Sequence, residues 1–279
     1  MVMRKGLTFM LAALAAVPAP ALATTVFPQD FTCPIGGEKF QDIVVGSYSS
    51  WGSRPDGRRY GTLPWVPLPK CPGNGFLLFK DDFTPEEIAI LTPTVESAEY
   101  QALRGAETQH YQLWWLMRAL PDTDPARLAS ALLVASWQAD GDPARKTRYQ
   151  QAFIKAAEAL PTDSEDWFIY NLRAANARRE LGEFDAAEAR IAALDAAPEG
   201  TPQDPDERAY LEQFITGLRA LVAERNAAAE PTNLIPPREA VERCIGDSAD
   251  LSATERDACA TPDHVEAIAE HRARKQANP

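Results

Sequence analysis

The chain has 279 residues, 45% of them hydrophobic, and carries 28 Lys and Arg against 40 Asp and Glu, a formal net charge of −12. That length and apolar content support one or two domains with a sizeable core. The acidic balance excludes proteins that neutralise phosphate backbones with clustered cations, so no nucleic acid is expected as a partner, and an anionic membrane surface is unattractive for the same reason.

The N-terminal text MVMRKGLTFMLAALAAVPAPALATT combines Arg4 and Lys5, an apolar run from Leu7 to Val17, and Ala21-Leu22-Ala23. This is the pattern of a secretory signal peptide over 1–23, with the mature chain starting near Thr24. Losing Arg4 and Lys5 leaves 26 cations against 40 acids, a net of −14. No later stretch reaches the ~20 apolar residues of a transmembrane helix, and no cysteine follows the cleavage site to carry a lipid. The expected location is periplasmic or secreted, where cysteines oxidise.

Residues 24–83 read as a small β-ribbon module, with Pro55-Asp56-Gly57 as a turn and Pro64, Pro67 and Pro69 allowing only edge-like extended chain. Within it Cys33-Pro34 and Cys71-Pro72 each have a glycine at the fifth position, Gly37 and Gly75. This is the frame of a zinc knuckle, C-P-x-C-G, with the second cysteine replaced by Gly36 and Asn74. Two thiolates in a tetrahedral zinc site sit roughly 3.8 Å apart, close enough to close to a disulfide once the other ligands are gone. Cys33 is therefore expected to pair with Cys71, and Cys244 with Cys259, their neighbour in sequence. Two other readings remain: the repeated Cys-Pro is coincidence, or a residual metal site draws on Glu38, Asp42 or one of His110, His264 and His271. No metal and no other cofactor is expected.

Helical text begins at Thr84-Pro85-Glu86-Glu87, which joins an N-cap, a proline at the first position and a capping-box glutamate. Similar starts fall at Asp124-Pro125, Asp142-Pro143, Ser164-Glu165 and Asp204-Pro205. Apolar faces at helical spacing run through Tyr149, Phe153, Ala156, Ala157 and Leu160, then Phe184, Ala187, Ile191 and Leu194, then Leu211, Phe214, Ile215, Leu218 and Leu221. The helix over 166–181 carries two stripes, one of Trp167, Tyr170, Ala174, Ala177 and Leu181, the other of Phe168, Leu172 and Ala175. A helix buried on two sides is what stacked helical hairpins require. The predicted fold is mainly α: stacked hairpins over 84–229, preceded by the ribbon and followed by a helical extension over 230–279 with its own disulfide.

The text NLRAANARRELGEFDAAEARIAAL resembles a tetratricopeptide repeat, with Gly182 in the turn, although Arg178 stands where an aromatic is usual and Ala175 where glycine is. Two C-P-x-x-G frames, then ASWQADGD, then RRELGEFDAAEA, resemble the bacterial family known as domain of unknown function 2225 over roughly residues 31–197. The resemblance implies a zinc ribbon joined to a helical repeat domain and assigns no reaction. Gly36 and Asn74 depart from the family's ligands.

The functional expectation is a scaffold that binds a protein or peptide partner in the envelope. Two surfaces are candidates: Tyr111, Trp115 and Arg118 in QHYQLWWLMR, and the basic, aromatic loop with Trp51, Arg54, Arg58, Arg59 and Tyr60. Each has a plainer reading, as core packing and as a solvated hairpin. An envelope hydrolase is the rival, but the text has no G-x-S-x-G and only scattered histidines. A purely structural subunit is the third reading.

Overall fold

A computed structural model describes residues 24–196 and 204–277; the predicted signal peptide lies outside them. The protein is mainly helical with a small β module at its N-terminal side, and among the described residues no helix is long and apolar enough to cross a membrane. Strands β1 (Thr25–Thr32) and β2 (Lys39–Ser47) form one antiparallel pair, and β3 (Ser50–Ser53) and β4 (Arg59–Gly61) a second.

The two Cys-Pro turns are built alike. Cys33 N–H donates to the Glu38 carbonyl at 2.8 Å and Gly37 N–H to the Cys33 carbonyl at 3.1 Å; Cys71 N–H donates to Phe76 and Gly75 N–H to Cys71, both at 2.9 Å. The glycine at the fifth position takes a positive φ each time, 69° at Gly37 and 78° at Gly75, a conformation that strains other residues. The Cys33 and Cys71 sulfurs are at disulfide distance, 2.09 Å, and Cys244 and Cys259 at 1.97 Å. Asn74 ties the turns together, donating to the Ile35 carbonyl at 2.8 Å and accepting from Phe76 N–H at 2.9 Å. Two such pairs fit an oxidising, extracytoplasmic environment.

The ribbon's base has no core of its own. Cys33, Ile35, Cys71, Phe76 and Leu77 join one apolar cluster with Leu91, Val95, Tyr100, Leu113, Leu116 and Met117. These come from α1 (Pro85–Glu96), α2 (Ala98–Ala106) and α3 (Gln109–Met117). Tyr100 Oη donates to the Gly75 carbonyl at 2.8 Å, and Arg104 reaches the carbonyls of Pro72 and Gly73. Burial thus runs straight across residue 83, and α1 to α3 pack on the knuckle turns.

Stacked helices follow: α4 (Pro125–Gln138), α5 (Pro143–Glu158), α6 (Trp167–Glu180), α7 (Phe184–Asp195) and α8 (Pro205–Ala223). α5 lies against α4 and α6, and α7 against α6 and α8, while α4, α6 and α8 touch in turn. α6 is buried on two sides. Ala174 and Ala177 pack with α4 and α5, and Phe168, Leu172 and Ala175 with α7 and α8. Trp167 belongs to the second side, not to the first as its spacing suggested. Gly182, at φ 77°, turns the chain from α6 to α7.

The C-terminal region holds α9 (Pro237–Ile245), α10 (Ala253–Cys259) and α11 (Pro262–Ala277), with α9 on α11. Glu255, fully buried, organises it: Arg243 donates to it twice, at 2.6 and 3.1 Å, and Asn226 Nδ2 and Ser252 N–H add further bonds. The Arg243 guanidinium, the Ser252 N–H and the Asn226 amide hold the Glu255 carboxyl below the usual range although burial opposes it.

Candidate functional site

The β3–β4 hairpin does not project into solvent. Its turn is closed by Arg54 N–H to the Arg58 carbonyl at 2.8 Å and Gly57 N–H to the Arg54 carbonyl at 2.9 Å. This turn is pressed onto the helical stack, where Arg173 of α6 donates to the Pro55 carbonyl. Arg54, expected on an exposed binding loop, is only 5% exposed. Its guanidinium pairs with Asp56, with Asp140 after α4 at 2.8 Å, and with Glu230 at 3.6 Å. Burial alone would lower the Arg54 pKa, but Asp56 and Asp140 outweigh it and raise it.

The network continues inward. Asp140 also pairs with Arg58 and, at 2.9 Å, with Lys146 of α5; Lys146 reaches Glu180 of α6 at 3.6 Å. Glu180 accepts from Gln150 and Asn176, each at 2.8 Å. Burial, with Asp56 nearby, raises the Glu180 pKa. Next to it Arg179, 0% exposed, donates to Asn176 Oδ1 and to the carbonyls of Asn226 and Ala228 at 2.7 and 2.8 Å. The hairpin turn, the ends of α4 and α6, the start of α5 and the chain after α8 are thereby fastened together.

Trp51, Arg58 and Tyr60 are likewise committed internally. Trp51 Nε1 donates to Glu239 of α9 at 2.7 Å, with Arg238 4.5 Å above the ring. Arg58 lies 5.8 Å over Trp65, and the Tyr60 hydroxyl is enclosed, its pKa raised by burial and by Glu230. Arg59 alone of the five expected loop residues is exposed, touching Ser50 Oγ at 3.4 Å.

On α3 the expected grouping of Tyr111 with Trp115 and Arg118 divides. Tyr111 stacks on Tyr149 of α5 at 4.7 Å and leans on Trp114 at 5.1 Å. Arg118 lies 3.6 Å over Trp115 and 4.9 Å over Trp114, so one cation caps both indoles. The aromatic rings are half-buried and contribute mainly to packing. His110, at the start of the same helix, meets Gln138 at 3.0 Å, and burial pushes its pKa down to about 4.

Glu38 and Asp42, the acids weighed as metal ligands, take backbone donors: Gly73 N–H at 2.8 Å on Glu38, and Ile43 N–H at 2.8 Å and Lys70 N–H at 3.3 Å on Asp42. His264 bonds Thr261 and the Thr232 carbonyl, and His271 sits 3.1 Å from Glu242. Neither lies beside the ribbon acids.

An open cleft of about 320 Å³ remains where β3, α8 and the 233–236 segment meet, lined by Gly52, Tyr210, Gln213, Phe214, Asn233 and Leu234 among others. Two glycines let its walls close up. A Cβ on Gly52, whose φ is 141°, would fall 2.3 Å from Pro236 Cγ, and one on Gly217 would fall 2.8 Å from Leu234. Tyr210 is 59% exposed at the rim, Phe214 is buried at the floor, and Gln213 and Asn233 supply amides. An apolar floor with a few placed polar groups is the composition general to ligand-binding clefts. Sequence reasoning read Phe214 only as a core residue and passed over Tyr210 and Gln213.

The protein so defined is mainly helical, with a disulfide-closed β module fastened onto its helical stack. No protein-family model, no curated protein and no solved structure matches the chain.

Proposed function

We propose that this is a periplasmic or secreted scaffold that binds a short segment of a protein or peptide in the cleft on α8. The observation that carries the reading is the cleft itself: an exposed Tyr210 over an apolar floor, flanked by Gln213 and Asn233, on a helix of the stacked array. The TPR-like hairpin reading of α6 and α7 supports it, since such arrays present one helix of each pair to a ligand. The chain's own hairpin turn occupies α6 at Arg173, which leaves α8 as the accessible continuation of that helix row. The resemblance to the ribbon-and-repeat family agrees with this architecture.

The test is a peptide-library selection on the immobilised mature protein against a Tyr210→Ala counterpart. Tyr210 is largely exposed, so its removal leaves stability almost unchanged. Peptides enriched on the wild type and lost on Tyr210→Ala support the cleft. No enrichment, or equal enrichment on both, overturns it.

A further inference from the structure

The β1–β2 ribbon leaves apolar side chains in solvent and, among the described residues, both of its backbone edges without a partner strand. Val26 is 51% exposed, Phe27 47% and Ile43 52%. The register sets Val26 opposite Val45 and Pro28 opposite Ile43, so these four share one face of the ribbon. Two-stranded ribbons are marginal in water unless something covers them.

The two edges differ. The Cys33 N–H to Glu38 carbonyl bond fixes the phase of the antiparallel ladder. Counting from it, Phe31 and Phe40, Gln29 and Asp42, and Phe27 and Val44 are the mutually bonded pairs, while Pro28 and Ile43, and Val26 and Val45, turn their backbone groups outward. The Ile43 N–H confirms this by bonding Asp42 Oδ1 rather than β1. Pro28 therefore removes a donor from the outer edge of β1, the usual way an edge is closed to pairing. No proline lies in β2, and among the described residues β2 pairs with β1 only. At Val45 both the N–H and the carbonyl point outward with no partner strand among the described residues, and the ladder stays regular from Lys39 to Val45 before the bulge at Gly46.

We propose that the Gln41–Val45 edge of β2 accepts an extended strand from another protein, one with apolar side chains at alternate positions and cationic rather than acidic residues between them. The unpaired edge calls for a strand, because only extended backbone offers donors and acceptors at its spacing. Val26, Pro28, Ile43 and Val45 call for apolar residues at every second position. Charge selects the rest: the ribbon carries Asp30, Glu38 and Asp42 against Lys39, on a chain of net −12. The same charge disfavours a second copy of this protein. This surface is separate from the α8 cleft.

The test uses a fluorescein-labelled decapeptide of alternating Val and Lys, with binding read by anisotropy to the full mature protein. Val45→Pro removes an outward N–H that no ladder bond uses and keeps an apolar side chain at that position, so it should leave the far-ultraviolet circular dichroism unchanged while weakening binding about tenfold, the loss expected for one backbone bond and its neighbour. N-methylation of alternate peptide nitrogens should weaken binding to the unaltered protein equally, which decides the matter even if Val45→Pro misfolds. Tyr210→Ala should leave this binding intact. No binding, or binding indifferent to N-methylation, overturns the proposal. So does a concentration-dependent dimer abolished by Val45→Pro, which would make the second copy the occupant.

Discussion

Replacing Arg54 by alanine leaves the buried Asp56 carboxylate without its cation and takes one of three cations from Asp140. Asp56 has 8% of its side chain exposed and Asp140 26%, and Glu180 and Glu230 lie in the same network. Removing one partner of a buried pair costs about 3–5 kcal/mol. Asp140 keeps Arg58 and Lys146, which places Arg54→Ala near the lower end, about 3 kcal/mol. Arg59, exposed and without a carboxylate contact nearby, should cost about 0–0.5 kcal/mol on the same substitution. At this chain length a 3 kcal/mol loss lowers the thermal midpoint by about 6–12 °C. Urea unfolding followed by circular dichroism gives the stability loss of each variant, and Asp56→Asn added to Arg54→Ala should recover part of the loss by removing the stranded charge. An Arg54→Ala protein as stable as Arg59→Ala would refute the reasoning that this hairpin turn is fastened by its charges.

Other outcomes follow from the same structure. Burial lowers the His110 pKa to about 4 from an ordinary 6.5, so the unfolded chain takes up a proton before the folded one does. Stability is complete above pH 6.5 and falls by about 3 kcal/mol as pH drops to 4; His110→Gln should flatten that part of a stability–pH curve, and an unchanged curve would exonerate the histidine. Cys33→Ala with Cys71→Ala should loosen α1 to α3 along with the Cys-Pro turns and β1–β2, because the turns and helices share one cluster; hydrogen exchange should rise over 25–47 and 68–117 and stay low over 125–196, and a rise that stops at 83 would contradict the shared core. Early proteolysis in that variant is expected within β1 and β2 rather than at Gly52–Arg59, whose turn is held by α6. Gly52→Ala places a Cβ 2.3 Å from Pro236 at a φ of 141°, so it should destabilise by about 1–3 kcal/mol; an unaltered urea midpoint would show that the strand and Pro236 can part freely.

Where the determinants are local, the sequence announces the fold. Thr84, Asp124 and Asp142 each cap a helix whose first residue is proline, and the helices begin at Pro85, Pro125 and Pro143 as those signals require. Ser164 starts a turn instead, its carbonyl accepting from Trp167 N–H, so α6 begins two residues later than its Ser-Glu signal suggests. α2 and α3 were hidden because Pro93 lies inside α1, yet Ser97 does cap α2 by accepting from Tyr100 N–H at 3.1 Å. The hairpin loop misleads for a tertiary reason. Its arginines and tryptophan look solvated within SYSSWGSRPDGRRYG, but their partners stand 86 residues away at Asp140 and 188 away at Glu239. Arg179 is the extreme case: beside the surface-pairing Arg178 it reads as one more exposed cation, and only the carbonyls of Asn226 and Ala228 explain its burial. The cleft was invisible likewise, since its walls come from β3, α8 and 233–236.

Site-specific photocrosslinking from position 210 tests the binding-scaffold account most directly. A photoreactive phenylalanine in place of Tyr210 stands at the rim of the cleft, and one in place of Arg59 stands on exposed surface outside it. In the cells that make the protein, irradiation should give a discrete adduct at 210 that is absent at 59, with peptide mass mapping placing the bond on a short segment of another polypeptide. Adducts equally abundant at both positions, or none at 210, would contradict a binding site on α8.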